Sequence, residues 1–175
     1  MAVFSKAIAN GYPMAAILGV RTVMQAAQES FISSTMWTDG VGPAAALATL
    51  RKFQQHDVPS HVGAIGVQFR ESMQEAANRH GVEIRFQGAP AISIMSLEHP
   101  EALALQTLLT AGMLQRGFLL GSGFYPSLAH QTYHVGACVA AADEVFAELS
   151  EAIQAGDAAA RLPGQVKHGG FERLA

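Results

Sequence analysis

Near the start of the chain two short apolar runs, residues 2–5 and 15–19, flank the turn cluster Asn10-Gly11-Tyr12-Pro13. Runs of that length bounded by turn residues predict two buried strands. Residues 31–34 carry the pattern of a third. Between them residues 20–30 read as a short helix. Pro43 opens a longer, Ala/Leu-rich helix ending near His56, with the proline in the first turn, where its missing N–H costs least. Pro59 closes that element and begins another.

From Ser60 to His80 the apolar residues Val62, Ile65, Val67, Phe69 and Met73 recur at roughly helical spacing, and Gly81 supplies a stop. Residues 82–86 alternate and residues 91–97 are nearly continuous, which predicts two strands joined through Gly88-Ala89-Pro90. Residues 100–116 predict a helix with Leu103, Leu105, Leu108, Leu109 and Met113 inward, followed by a strand at 118–120 and a last amphipathic helix from Val139 to Ala155. Gly121-Ser122-Gly123 reads as a turn, since no phosphate-loop pattern follows it. This order describes an α/β chain with helices layered on a sheet. The expected organisation is residues 1–58, opening inside an apolar strand as though cut from a larger domain, then a small α/β domain at 59–160 and an irregular tail at 161–175.

Half of the residues are hydrophobic and 14% are charged, with a mean hydropathy of +0.20, so the chain has the composition of a packed protein. A net charge of −3 provides no cationic field for nucleic acid or anionic lipid. Small molecules or protein partners are the expected ligands. The single cysteine, Cys138, has no partner for an internal disulfide, which points to a reducing, cytoplasmic setting. The turn cluster at 10–13 interrupts the first apolar stretch and argues against a leader peptide; no later stretch has the roughly 18 unbroken apolar residues of a membrane span.

Lys6 stands between apolar strand residues and a Gly/Pro turn, where partial desolvation would lower its pKa as a Schiff-base lysine requires; the plainer reading is a strand-end lysine reaching to water. Thr35 and Thr38 precede a proline-led helix and suit capping hydroxyls. His130, His134 and Cys138 lie four apart, but Gly136 and Gln-Thr-Tyr are poor helix formers and no fourth ligand is evident, so packed or hydrogen-bonded histidines are expected and no metal. Arg21, Arg70 and Arg85 are candidates for a carboxylate, and no spacing favours one of them.

The stretch Phe4-Ser5-Lys6-Ala7-Ile8-Ala9-Asn10-Gly11-Tyr12-Pro13-Met14-Ala15-Ala16 resembles the lysine segment of the class III aminotransferase family, in which a lysine after a small residue is followed by a glycine and an apolar-Pro-apolar step. Ser33 through Ala45 resembles the family segment in which a threonine precedes a Gly/Asn-Pro helix start. Thr35 is the first match to that threonine and Thr38 the second, because the spacing to the proline is longer here. Met113–Phe118, Ser127–Thr132 and the helix from Val139 resemble the small C-terminal domain of the same family. The nearest branch is the glutamate-1-semialdehyde aminomutases, from which Phe124-Tyr125-Pro126-Ser127 departs by a shorter loop without an acidic residue.

The resemblance implies the C-terminal part of a fold type I transferase using pyridoxal 5'-phosphate. Lys6 would form the Schiff base and shuttle the proton, and Thr35 or Thr38 would bind the cofactor phosphate of a neighbouring copy. An amino donor, an oxo acceptor and a homodimer in the full-length form are implied as partners. The family's pyridine-nitrogen aspartate, ring-stacking aromatic and main phosphate loop precede its lysine, so this segment alone is expected to be inactive. The alternative is a non-enzymatic α/β dimerisation or binding module derived from the family, in which Lys6 is a relic.

Overall fold

The turn at residues 6–14 folds the chain back on itself, so that β1 (Ala2–Ser5) and β2 (Ala15–Leu18) pair antiparallel with Val3 opposite Ile17 and Phe4 opposite Ala16. The computed structural model describes residues 1–33, 35, 37–162 and 164–170. It comprises two units, Met1–Val58 and Pro59–Ala175.

In the first unit both expected strands form, but they are not buried. A two-stranded ribbon has no layer on either face, and Val3, Phe4, Ile17 and Leu18 are all exposed. The helix expected at 20–30 is reduced to α1 (Arg21–Met24) and a 3-10 segment, Gln25–Glu29, with no buried residue in either. Segments this short are not held helical without packing. Phe31, 95% exposed, and the residues to Ser33 form no strand, and Ser34 lies outside the described residues. α2 (Val41–Gln55) begins two residues before Pro43, with Asp39 Oδ1 accepting the Val41 N–H at 2.8 Å. Among the described residues of this unit only Ala9, Gly42 and Ala46 are buried.

That surface carries a consequence for handling, since large contiguous apolar areas drive association. A chain of residues 59–175 is expected to remain monomeric in light scattering at concentrations where residues 1–175 associate. Equal association of the two would show that the first unit is not responsible.

The second unit has a core. α3 (Val58–Arg79) buries Ile65, Phe69, Met73, Ala76 and Ala77 along one face, and Val67 of the expected apolar set stays exposed. β3 (Ile84–Gln87), β4 (Ser93–Leu97) and β5 (Gly123–Phe124) form an antiparallel sheet in that order. The strand expected at 82–86 thus starts later. The one expected at 91–97 is preceded by a 3-10 turn, Pro90–Ile92, because Gly88 at φ 80° turns the chain sharply toward α3. α4 (Ala102–Gln115) and α5 (Thr132–Ala155) pack on one another and contribute Leu105, Leu109, Met113, Val145, Phe146 and Leu149 to the core. Phe69 meets Phe86 of β3 and Phe124 of β5 at ring-centroid distances of 6.0 and 4.3 Å, joining α3 to both sheet edges.

Four expectations differ from the structure. Leu103 is 44% exposed rather than inward. Residues 118–120 are not a strand: Leu119 is 88% exposed, and the free edge of β4 is taken instead by Gly123–Phe124, so Gly123 belongs to a strand and not to a turn. α5 starts at Thr132, seven residues before Val139, because the Gln131 N–H donates to His134 Nδ1 at 3.0 Å and caps the helix, and buried Val135 anchors its first turn. The end of α3 is tied to α5 by Arg79 and His80, both bonded to Asp143 Oδ1 at 2.8 and 3.0 Å; the Arg79 bond, with that of His80, holds the Asp143 carboxyl below its usual range. Among the described residues no helix is long and apolar enough to cross a membrane.

Candidate functional site

β1 delivers Lys6 directly. Ser5 is the last extended residue, and Lys6 opens the 3-10 turn Lys6–Ile8 with φ 56°. An L residue in the left-handed region is strained, and such strain persists only where the surroundings hold it. Asn10 shares the feature at φ 46°. The loop closes through Ala9 N–H to Lys6 O at 3.4 Å and Tyr12 N–H to Ala9 O at 3.3 Å. Lys6, Ala7, Asn10, Gly11, Tyr12, Pro13 and Met14 line an open hollow of about 460 Å³. The lysine is exposed within this unit, not partly desolvated as its neighbours in sequence suggested, because the ribbon beside it is uncovered.

Thr35 and Thr38 are both exposed turn residues ahead of α2, and neither caps it, since Gly40 occupies the N-cap and Asp39 supplies the side-chain acceptor. Two hydroxyls before a helix start are a donor set suited to a phosphate. Within this unit α2 packs against the Lys6–Ile8 turn. The small residues of the lysine segment serve this contact: Ala9 is 1% exposed, and a side-chain carbon on Gly42 would sit 3.1 Å from Pro13 O and 3.1 Å from Met14 Cβ. The sequence reading missed Gly42 and Ala46, whose i,i+4 spacing of small residues on one helix face was the available signal. An amine at the mouth of an open hollow suits imine formation with a carbonyl compound, and the exposed hydroxyls ahead of α2, which do not line that hollow, suit a phosphate held apart from it.

In the second unit the histidines serve structure. Ser127 N–H donates to His130 Nδ1 at 3.1 Å, His61 Nε2 donates to His130 O at 2.8 Å, and His134 caps α5. Burial pushes the Cys138 thiol up to about 11, which leaves it protonated and unreactive at neutral pH. Among the described residues no group of three His, Cys, Asp or Glu is placed to hold a metal. Arg70 spends its donors internally, on Ser93 Oγ at 2.7 Å and on the carbonyls of Gln87, Gly88 and Ala89 at 2.8–2.9 Å. Arg85 lies 3.8 Å from Glu98, and Arg21 opens the exposed α1.

Residues 1–141 match the family model described as aminotransferase class-III. A 3-aminobutyryl-CoA aminotransferase of Cloacimonas acidaminovorans (strain Evry) is 31% identical over 156 residues, 88% of this chain and 36% of that protein. A 2'-deamino-2'-hydroxyneamine transaminase of Streptomyces kanamyceticus is 31% identical over 120 residues, 68% of this chain and 30% of its own length. Among solved structures, the PLP internal aldimine form of the FumI protein of Sphingopyxis sp. MTA144 superposes with a TM-score of 0.81 at 25% identity, covering 87% of this chain and 37% of that one. A transaminase with PLP bound gives 0.73 at 20% identity over 85% of this chain and 38% of its own, a likeness of fold. The chain spans about a third of the length of these two curated relatives, and its α/β fold is that of the matched part of the transaminases.

Proposed function

The chain belongs to the class III aminotransferase family, and we propose that it forms part of a pyridoxal-phosphate-dependent aminotransferase in which Lys6 carries the cofactor. The observation that supports this most is the placement of Lys6, strained at φ 56°, at the end of β1 and in the hollow formed by residues 6–14. Bound pyridoxal phosphate supplies the electron sink that lets a proton leave the substrate carbon. Lys6 Nζ would hold the cofactor covalently, and the Lys6 amine, when free, would move the proton at that carbon as general base and acid. The positive φ sets the direction in which the side chain leaves the strand, which is how the backbone determines where Nζ works.

Amino transfer between a donor and an oxo acceptor is preferred to the internal rearrangement of the glutamate-1-semialdehyde aminomutases. The sequence resembles that branch most, but its loop at 124–127 is shorter and carries no acidic residue. A homodimer in which Thr35 reaches the phosphate of the neighbouring copy completes the reading. The module alternative draws on the exposed apolar first unit and predicts no cofactor at Lys6.

The test of the reading is hydride reduction of the cofactor-loaded full-length protein followed by peptide mapping, with the label expected on Lys6. Recovery of the label on Lys52 or Lys167 would overturn it. Thr35→Ala is expected to weaken cofactor affinity by about 1.5–3 kcal/mol, the worth of one hydrogen bond to a charged group. Equilibrium dialysis checks this, and a loss at Thr38→Ala with none at Thr35→Ala would move the phosphate contact three residues along.

A further inference from the structure

We infer that Gly42 is a positioning residue for Lys6, acting through the first turn of α2. The inference rests on the reading of Lys6 proposed above. Lys6, unlike the asparagine at position 10, which tolerates the left-handed region, has no local reason to sit at positive φ, and in a loop free in solvent it would relax to negative φ. The hydrogen bonds within the loop are long, at 3.3 and 3.4 Å, so the restraint comes from outside it. What packs on the loop is α2: the helix contacts the Lys6–Ile8 turn, and Ala9 is buried.

Gly42 sets how closely that helix approaches. A Cβ there would meet a backbone oxygen, Pro13 O, and the first side-chain carbon of Met14, each at 3.1 Å, and neither is the far end of a flexible side chain. Gly40, two residues earlier, has nothing within 4 Å, so the closeness is particular to this position. Glycine weakens a helix relative to alanine, and Gly42 has ordinary helical φ, so its use is the contact and not the turn. An added methyl must push Pro13 and Met14 away by a few tenths of an ångström. The other end of the same loop is Lys6, whose strained φ relaxes as the brace loosens. Relaxation toward negative φ swings Cα–Cβ and carries Nζ with it.

The experiment compares Gly42→Ala and Gly42→Val with the wild type and with Gly63→Ala, a helical glycine with nothing within 4 Å. Each protein, in its full-length form, is saturated with pyridoxal phosphate. The readouts are the rate of hydride fixation at Lys6, the pH midpoint of the visible absorption band of the loaded protein, and the melting temperature. Fixation is expected to slow on the order of 10-fold in Gly42→Ala and 100-fold in Gly42→Val, as reacting atoms leave their geometry by increasing fractions of an ångström. The pH midpoint should move in the same order, with Gly63→Ala unchanged in both. Wild-type fixation rate and midpoint in Gly42→Ala would overturn the inference whatever the melting temperature does, since a merely structural glycine changes only the latter. Should Gly42→Val fail to fold, Gly42→Ala decides alone. Failure of the wild type to label Lys6 is a separate result, which removes the parent reading and this inference with it.

Discussion

In the full-length enzyme, replacing Lys6 with alanine is expected to lower amino transfer by at least about 10²–10⁴-fold, the usual worth of a positioned acid–base group, with the loss of covalent attachment added to it. The exposed hollow at residues 6–14 contains no other amine, among the residues that line it, to take over either task. Lys52 lies in the last turn of α2 and Lys167 in a segment whose backbone N–H donates to Thr107 Oγ1 at 3.1 Å. Single-turnover kinetics with a saturating donor separate the two roles. The proton-transfer step should collapse in Lys6→Ala, and added small primary amines should restore part of it without restoring hydride fixation. Fixation persisting in Lys6→Ala, or turnover within a few-fold of wild type, would leave Lys6 as a strand-end lysine and favour the binding-module alternative.

The lysine segment was legible in sequence because its requirements are local: a strand, a turn and small residues within a dozen positions. Burial was not legible there. Val3 and Ile17 read as buried strand residues, but burial depends on a layer over the ribbon, and the described unit provides none. In the second unit the long elements were readable because repeated apolar spacing averages out single exceptions; Leu103 in α4 and Val67 in α3 are such exceptions. Two features escaped for physical reasons. A two-residue strand such as β5 exists only because β4 offers an open edge opposite Ser93 and Ile94, which no local pattern records. The first turns of α5 contain poor helix formers, yet the cap at Gln131 and His134 and the burial of Val135 override propensity. The same limit hid the role of Gly42, since a close approach between segments separated by some thirty positions leaves only small residues as its trace.

Gly66→Ala should reverse the ordinary sign of a glycine-to-alanine change in a helix. In mid-helix the alanine would normally stabilise by about 0.5–1 kcal/mol. At Gly66, a Cβ would lie 2.0 Å from Pro90 O and 2.5 Å from Pro90 C, distances no real contact tolerates, and both atoms are backbone. The 88–92 turn has little freedom to retreat. Arg70, one helical turn on from Gly66, binds the Gln87, Gly88 and Ala89 carbonyls, and its Nε holds Ser93, which is buried and donates to Pro90 O at 2.9 Å. Gly88 adds a second constraint, at φ 80° with Ile92 O 2.4 Å from where its Cβ would be. Either α3 lifts from the sheet, parting Phe69 from Phe86 and Phe124, or the turn breaks its hydrogen bonds to Arg70 and Ser93. Overpacking of cores typically costs about 1–3 kcal/mol and more where backbone must move, so a loss of about 3 kcal/mol or more is expected. Urea unfolding followed by circular dichroism checks it, as a fall in midpoint at unchanged slope. Gly63→Ala, three residues earlier on the same helix with open space around it, should be neutral or slightly stabilising. If Gly66→Ala behaves like Gly63→Ala, the close seating of α3 on the 88–92 turn is wrong.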